Sequence, residues 1–450
     1  MKPRYERPVI VRHAMGGANK FGSLPSVRPF DSFEGARIER LVEQYGSPLY
    51  VFSERVLREQ FRELRDQLAR RLVDFAIAWS YKTNYLGAIC KVFHQEGAWA
   101  EVVSGMELRK ALGSGVPGSQ ILFNGPGKSR ADLELAFRNG VRVHLDHMDE
   151  LVLAEQVAES LRVMPSVGLR VNLSEVPVPA WDRFGFNLEN GRALEAARRI
   201  VRGGRLELRS LHCHIGTFIQ SADAYRIAAR AMARLAVTIE GEIGIRIESI
   251  DLGGGFASHN TLQNQYLPGE ELSPSLGQYV ERIANGLEEG LDGVDPPRLV
   301  LETGRALVDD AAILIASVTG NKRLVDGRRA VVLDAGVNLL PTAWWYRHDI
   351  LPAQPVHGTP EPTVFFGPLC MNIDVVRDRI MFPPLRTGDR VVIRHVGAYN
   401  VTQWMQFTTE RPNVVMVNTH GEPAIIRKAE GLEALLAQEE IPSWLGSPEP

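Results

Sequence analysis

Residues 74–85 read DFAIAWSYKTNY, and the lysine in this stretch is the first residue of the chain with chemistry to do. The run from Phe75 to Trp79 is short and apolar and gives way at once to polar residues, the pattern of a buried strand. Lys82 falls where that strand ends. In an α/β barrel this end is the catalytic face, because the loops there vary while the strands hold position. A lysine at such a place is costly unless it is paired or loses its charge. Forming an imine with an aldehyde cofactor changes its chemistry and accounts for the position. The plain alternative is a lysine that leaves the core and meets solvent, the common case for a lone lysine.

Four further clusters stand at expected strand ends or loops. His212-Cys213-His214-Ile215-Gly216-Thr217 follows an apolar run. Two histidines at i and i+2 on a strand share a face, but no acidic or Cys partner accompanies them at ligand spacing, so no metal is expected. His212 reads as a packed core residue. His214, nearer the strand end, is better placed to stack on a flat aromatic cofactor. Asp251-Leu252-Gly253-Gly254-Gly255-Phe256 puts three glycines after a strand, where successive N–H groups can point into one concavity and bind phosphate. A flexible turn would need the same glycines. The run is not G-x-G-x-x-G, and no acidic residue follows at dinucleotide spacing. Leu301-Glu302-Thr303-Gly304-Arg305 sets a carboxylate three residues from a guanidinium. The two make either a structural ion pair or a ring-nitrogen acceptor beside a phosphate or carboxylate clamp. The stretches Gly367-Pro368-Leu369-Cys370 and Gly397-Ala398-Tyr399 read as loops, whose side chains reach ligands more often than core ones do.

The elements that must carry these residues alternate. Helical spacing over 54–72, 86–96, 106–113, 129–139, 148–161 and 222–241 separates strand-like runs at 75–79, 98–103, 121–124, 141–145, 166–172, 206–212, 247–252 and 298–302. Such alternation implies a parallel sheet, and its length favours a closed (β/α)8 barrel. Beyond Arg305 the runs 312–322, 329–334, 363–366, 390–395 and 414–417 lack helices between them and predict an all-β domain. The expected division is an N-terminal segment 1–47 packing with the β domain, a barrel over 48–309 and a C-terminal β domain over 310–450, the latter a sandwich or barrel. The 450 residues carry a net charge of −3, which gives no reason to expect nucleic acid or an anionic membrane as partner. No apolar stretch is long enough to span a bilayer, and the first residues lack a sustained apolar core of a secretory signal. Three cysteines, Cys90, Cys213 and Cys370, suit a reducing cytoplasm better than a disulfide framework.

Taken together and in order, YKTN, SGxE (Ser104 to Glu107), HCHIGT, LGGGF, ETGR, GPLC and GAY resemble the alanine-racemase-type (fold type III) pyridoxal-phosphate enzymes, and most of all the diaminopimelate and ornithine decarboxylase branch. The resemblance covers Tyr50 to Pro412. It implies that Lys82 holds pyridoxal phosphate covalently and that His214 stacks on the ring. Thr217, Gly253, Gly254, Gly255 and Tyr399 would then serve the phosphate, and Glu302 would pair with the pyridine nitrogen. Arg305 would lie near the phosphate and the substrate carboxylate. Cys370 would reach the site of a neighbouring subunit in a homodimer with two shared sites, as the acid that protonates Cα. A carboxylate at the pyridine nitrogen strengthens the electron sink, which favours decarboxylation over the racemase alternative, where an arginine is typical. A cofactor-free binding homologue is the remaining alternative, and the intact Lys82, His214, Glu302, Cys370 and Tyr399 weigh against it.

The departures from the family pattern fall on substrate recognition. Met371 follows Cys370 where the family has an acidic residue for the distal amine, and Thr342 stands in place of an arginine, although Tyr346 is retained. Arg305, Thr342, Tyr346, Met371 and Tyr399 are the candidate substrate contacts. With Trp344, Trp345, Gln403, Trp404 and Met405 nearby, the chain is expected to decarboxylate a modified or conjugated amino acid, as in siderophore or other specialised metabolism. The alternative is meso-diaminopimelate itself.

Overall fold

The computed structural model describes residues 27–446. Eight parallel strands close on themselves: β1 (Phe75–Ser80), β2 (Trp99–Val102), β3 (Ile121–Phe123), β4 (Arg142–Leu145), β5 (Ser166–Asn172), β6 (Glu207–Cys213), β7 (Ser249–Asp251) and β8 (Arg298–Leu301). Closure is made where β8 pairs with β1, Val300 opposite Ala76. The strand alternation explains how the barrel fills. Ala76, Ala78, Leu122 and Val300 form their own small buried cluster, whereas Ile77 and Trp79 join the main core with the helices. Trp79 stacks on Phe93 of the helix Gly87–Gln95, with ring centroids 4.0 Å apart. Period-2 alternation then puts Ser80 on the side of Ala76 and Ala78, at the end where Lys82 follows.

Two surrounding helices fall outside the helical runs expected from the sequence. Arg192–Gly203 buries Ala193, Ala196, Ala197 and Ile200, a stripe of mostly small residues at helical spacing opposite an Arg- and Glu-bearing face. Leu276–Leu291 contains three glycines, which read as breaks. Two of them serve close packing: an added Cβ would fall 2.2 Å from the Arg226 carbonyl oxygen at Gly286 and 2.5 Å from that of Arg230 at Gly290, both on the helix Ala222–Ile243.

The second sheet runs in the order Val375–Phe382, Glu361–Phe366, Arg329–Leu333, Ala312–Arg323, Leu49–Ser53, Val414–Val417 and Pro423–Arg427. Arg390–Arg394 also pairs with Ala312–Arg323, and Ile350–Pro352 pairs with Arg390–Arg394. The barrel was expected from residue 48. Instead Leu49–Ser53 pairs antiparallel with Ala312–Arg323 and parallel with Val414–Val417. The strand is buried on both faces, so its pattern could not say which sheet it serves. The helix Ile38–Tyr45 packs Ile38, Leu41 and Val42 against Leu49, Val51, Ile313 and Val415 of this sheet. Residues 1–26, part of the expected N-terminal segment, and the last four of the tail lie outside the described residues. Among the described residues no helix is long and apolar enough to cross a membrane. Cys90 and Cys213 are buried, Cys370 is exposed, and all three are free thiols.

Candidate active site

A cavity of about 760 Å³ opens at the C-terminal ends of the barrel strands. Its polar wall is built from residues at or just past those ends: Ser80 at the end of β1 and Lys82 after it, Glu101 on β2, Asn124 after β3, His212 and His214 around the end of β6, Glu302 after β8. Of the residues that the sequence singled out, Lys82, His214, Thr217, Gly254, Gly255, Glu302, Arg305, Tyr346 and Tyr399 line it.

Lys82 Nζ donates to Glu101 Oε2 at 2.5 Å. Burial works against its charge, but Glu101, Glu302 and the Tyr399 hydroxyl outweigh it and hold the ammonium above its ordinary range. Glu101 is fully buried and also accepts from Ser80 Oγ (2.6 Å) and Asn124 Nδ2 (3.1 Å). The same Asn124 amide donates to Glu302 Oε1 at 2.5 Å, and its oxygen receives a hydrogen bond from His144 Nδ1 at 2.7 Å. Burial opposes the Glu302 charge, yet Lys82 foremost keeps its carboxyl below the usual range. His212 is the packed core histidine expected of it, 1% exposed and stacked on His144 with ring centroids 4.9 Å apart.

His214 sits differently. Its Nδ1 accepts the Gly254 N–H at 3.1 Å, and its ring lies 5.3 Å from that of Trp181. Burial, then Lys82 and Arg170, push its pKa well below the ordinary histidine value, so the ring is neutral. The three glycines do not all aim at one concavity as the sequence suggested. The Gly253 N–H turns back to Asp251 Oδ1 at 2.8 Å, and that of Gly254 goes to His214, because the backbone at Gly253 takes φ +66°. Gly254 and Gly255 line the cavity; Gly253 does not. An added Cβ at Gly254 would meet the Glu302 carbonyl oxygen at 2.3 Å, and one at Gly255 the Gly216 oxygen at 2.3 Å.

Arg305 is buried, with Nη1 lacking a hydrogen bond and Nη2 3.5 Å from Thr217 Oγ1. It lies over the rings of Tyr399 (4.7 Å) and Tyr346 (5.2 Å). A buried guanidinium whose Nη1 makes no hydrogen bond and has only a long ion-pair contact, 3.7 Å to Asp309 Oδ2, stands beside a cradle that only glycine can form, and the two fit a phosphorylated anion. A neutral imidazole, a lysine and a buried carboxylate around the same space fit the ring of pyridoxal phosphate.

Thr342, Met371 and Cys370 do not join this cavity. The Thr342 hydroxyl is buried between Asn400 Oδ1 (2.7 Å) and His348 Nε2 (2.9 Å). Met371 packs half-buried against the core, and Cys370 is exposed on its loop. Trp345 and Gln403 do line the cavity, whereas Trp344, Trp404 and Met405 are not among its lining residues. The sequence reading missed Glu101, Asn124, Arg170, Trp181, Arg183 and Phe184, all on the wall. The signal available for Glu101, Asn124 and Arg170 was a single polar residue at or near the end of an apolar strand.

The model of the family described as pyridoxal-dependent decarboxylase, pyridoxal binding domain, matches residues 54–309. The chain belongs to the pyridoxal-dependent decarboxylase family. It is thus a carboxy-lyase of the fold type III group. Diaminopimelate decarboxylase of Methanocaldococcus jannaschii is 29% identical to it over 90% of this chain and 94% of that one. The enzyme of that name from Actinosynnema pretiosum subsp. auranticum is 32% identical, with 90% and 91% covered. Among solved structures, diaminopimelate decarboxylase from M. jannaschii superposes with a TM-score of 0.84 at 27% identity, over 93% of this chain and 99% of that one. The Helicobacter pylori enzyme in complex with L-lysine gives 0.79 at 25% identity, over 89% and 98%. The barrel with a separate β domain, the cofactor and the decarboxylase class expected from the motifs all stand.

Proposed function

We propose that this decarboxylase removes the α-carboxylate of an amino acid that carries a second carboxylate, with meso-diaminopimelate as the substrate it fits best. The observation that supports the reading is that three guanidinium groups, Arg170, Arg183 and Arg305, line the one cavity, with Arg170 also ion-paired to Asp146 at 3.5 Å. Arg305 is the clamp nearest Tyr399 and Thr217, and Arg170 and Arg183 flank Phe184 at 4.3 and 5.0 Å. Two carboxylates and a phosphate are the anions such a wall suits. The names of the relatives point the same way.

Lys82 would carry the cofactor covalently, His214 would cover one face of its ring, and Thr217, Gly254, Gly255 and Tyr399 would face its phosphate. When bound, pyridoxal phosphate supplies the electron sink for the pair left on Cα as carbon dioxide departs. Glu302 would hold a proton at the pyridine nitrogen, because its carboxylate is kept anionic and accepts from the Asn124 amide. Trp181, Phe184 and Trp345 line the cavity and would limit water at the reacting carbon. Cys370, exposed on its loop, would deliver the Cα proton in the site of a second copy of the chain, which makes the active form a homodimer.

A second reading, a conjugated amino acid, is favoured by one observation: the residue after Cys370 is Met371, which cannot accept a hydrogen bond from a distal amine with a carboxylate's strength. Carbon dioxide release from meso-diaminopimelate, ornithine, lysine and conjugated amino acids separates the two. L-lysine formed from meso-diaminopimelate supports the first. Turnover confined to conjugated substrates replaces it with the second.

A further inference from the structure

Behind Glu302 lies a second buried acid that the roles above do not use. Asp251, the last residue of β7, is 1% exposed. One of its oxygens, Oδ1, accepts the Gly253 N–H at 2.8 Å, while Oδ2 is buried without a hydrogen-bond partner. A ligand oxygen of Asp251, one of Glu302 and a ring nitrogen of His144 all lie within 4.8 Å of one another. This donor set has the make-up of a small metal site, but both His144 nitrogens are engaged, Nδ1 with Asn124 Oδ1 and Nε2 with Ser210 Oγ, each at 2.7 Å. No ring lone pair is left for a cation.

Two buried carboxyl groups this close cannot both ionise. Glu302 has the amide of Asn124 on Oε1 at 2.5 Å and His212 Nε2 at 3.5 Å from Oε2. Asp251 has only a backbone N–H. The groups around the pair divide the same way: Lys82 favours the Glu302 anion, whereas Glu302 and Glu101 disfavour a charge on Asp251. We propose that Asp251 is a positioning residue that stays protonated and donates from Oδ2 to Glu302, tying the carboxylate that faces the cofactor nitrogen to the turn that forms the glycine cradle. Burial foremost, then Glu302, pushes the Asp251 pKa well above the ordinary carboxylate range, in agreement. One carboxyl group thereby holds two parts of the site in register, Glu302 through Oδ2 and Gly253 through Oδ1.

The decisive variant is Asp251→Asn. An amide can accept the Gly253 N–H and donate to Glu302, so it reproduces both bonds of a protonated acid and neither the charge nor the basicity of a carboxylate. Infrared difference spectra of holoenzyme, unmutated minus D251N, should show the loss of a protonated carboxyl C=O band at neutral pH. D251N should keep kcat within about tenfold, whereas Asp251→Ala, which leaves Glu302 without that donor, should lose about a hundredfold, the scale of one electrostatic contact in a reacting site. The bound cofactor's absorbance should follow the same order, unchanged in D251N and shifted in D251A. The kinetic arm rests on the proposed role of Glu302; the infrared arm reads the carboxyl group alone. Loss of an ionised carboxylate band in place of the protonated one overturns the proposal, and so does a D251N enzyme as impaired as D251A. Where D251A does not fold, the infrared band and D251N still decide.

Discussion

The Lys82 ammonium, just past the end of β1, lies 2.5 Å from a carboxylate oxygen of Glu101 on the neighbouring strand β2. Glu101 is fully buried, whereas the Lys82 side chain keeps about a third of its surface accessible, so solvent in the cavity screens the pair in part. An amine must be neutral to attack an aldehyde, and Glu101 holds this one charged. Replacing Glu101 by Gln removes an opposite charge and lowers the lysine pKa. Each unit of lowering frees about tenfold more neutral amine at a given pH below it. The apo-protein of E101Q should therefore capture pyridoxal phosphate over a pH range that extends lower than that of the unmutated chain. The rise of cofactor absorbance against pH is the measurement, and coincident profiles would remove Glu101 from this role.

Gly254 offers a steric test of the cradle. A Cβ there meets the Glu302 carbonyl oxygen at 2.3 Å, and a backbone atom cannot yield as a flexible side chain can. Gly254→Ala should weaken cofactor binding by roughly 5- to 150-fold, the range of a 1–3 kcal/mol overpacking penalty. Gly113, at the end of the helix Gly105–Gly113, has nothing within 4 Å of such a Cβ. Gly113→Ala is the control and should leave cofactor affinity unchanged. Titration of apo-protein with pyridoxal phosphate reads both.

The architecture was legible because the barrel strands are short apolar runs between amphipathic helices, and a period of 2 or 3.6 survives single exceptions. The site was legible where several unusual residues stand together, as in ETGR or LGGGF. It was not legible where one polar residue ends an ordinary strand, as with Glu101 in WAEV or Asn124 after ILF. Only the closed barrel reveals that these face the same space as Lys82. Strand Val375–Phe382 escaped for a related reason: its exposed Asp378 and Arg379 break the apolar pattern that edge position makes unnecessary. Thr342 shows the converse. Its place in the chain suggested a substrate contact, while its hydroxyl is closed off between Asn400 and His348.

Glu107 ties the site's scaffold to pH. It lies in the first turn of the helix Gly105–Gly113, where Ser104 Oγ accepts the Glu107 N–H and Glu107 Oε2 accepts that of Val103 at 2.8 Å. Burial raises its pKa from 4.5 to about 7. A folded-state value above the unfolded one means that the native chain binds the proton more tightly. Its contribution is therefore most favourable below pH 4.5 and is lost as pH rises through 7. Full ionisation costs on the order of 3 kcal/mol. Glu107→Gln keeps an acceptor for Val103 and has no charge to bury. Its stability relative to the unmutated chain should rise between pH 5 and 8, by roughly that amount or less. Thermal melts of the two proteins across this range check it; a constant difference would mean that Glu107 is ionised throughout.

Cys370 is the residue whose proposed role needs a second copy of the chain. It is exposed, it does not line the cavity that holds Lys82, and 288 residues separate the two. If it acts as the proton donor across a two-fold interface, each site takes Lys82 from one chain and Cys370 from the other. Lys82→Ala and Cys370→Ala homodimers should each be inactive or nearly so. A mixed dimer has one site with both groups intact and one with neither. Full random exchange makes half of all dimers mixed, so about a quarter of all sites regain function. The measurement is carbon dioxide release after exchange, with mixed dimers demonstrated by differently tagged chains. Activity near one quarter of the unmutated level places Cys370 in the neighbouring site. No recovery from demonstrated mixed dimers means that Cys370 serves its own chain or takes no part in proton delivery.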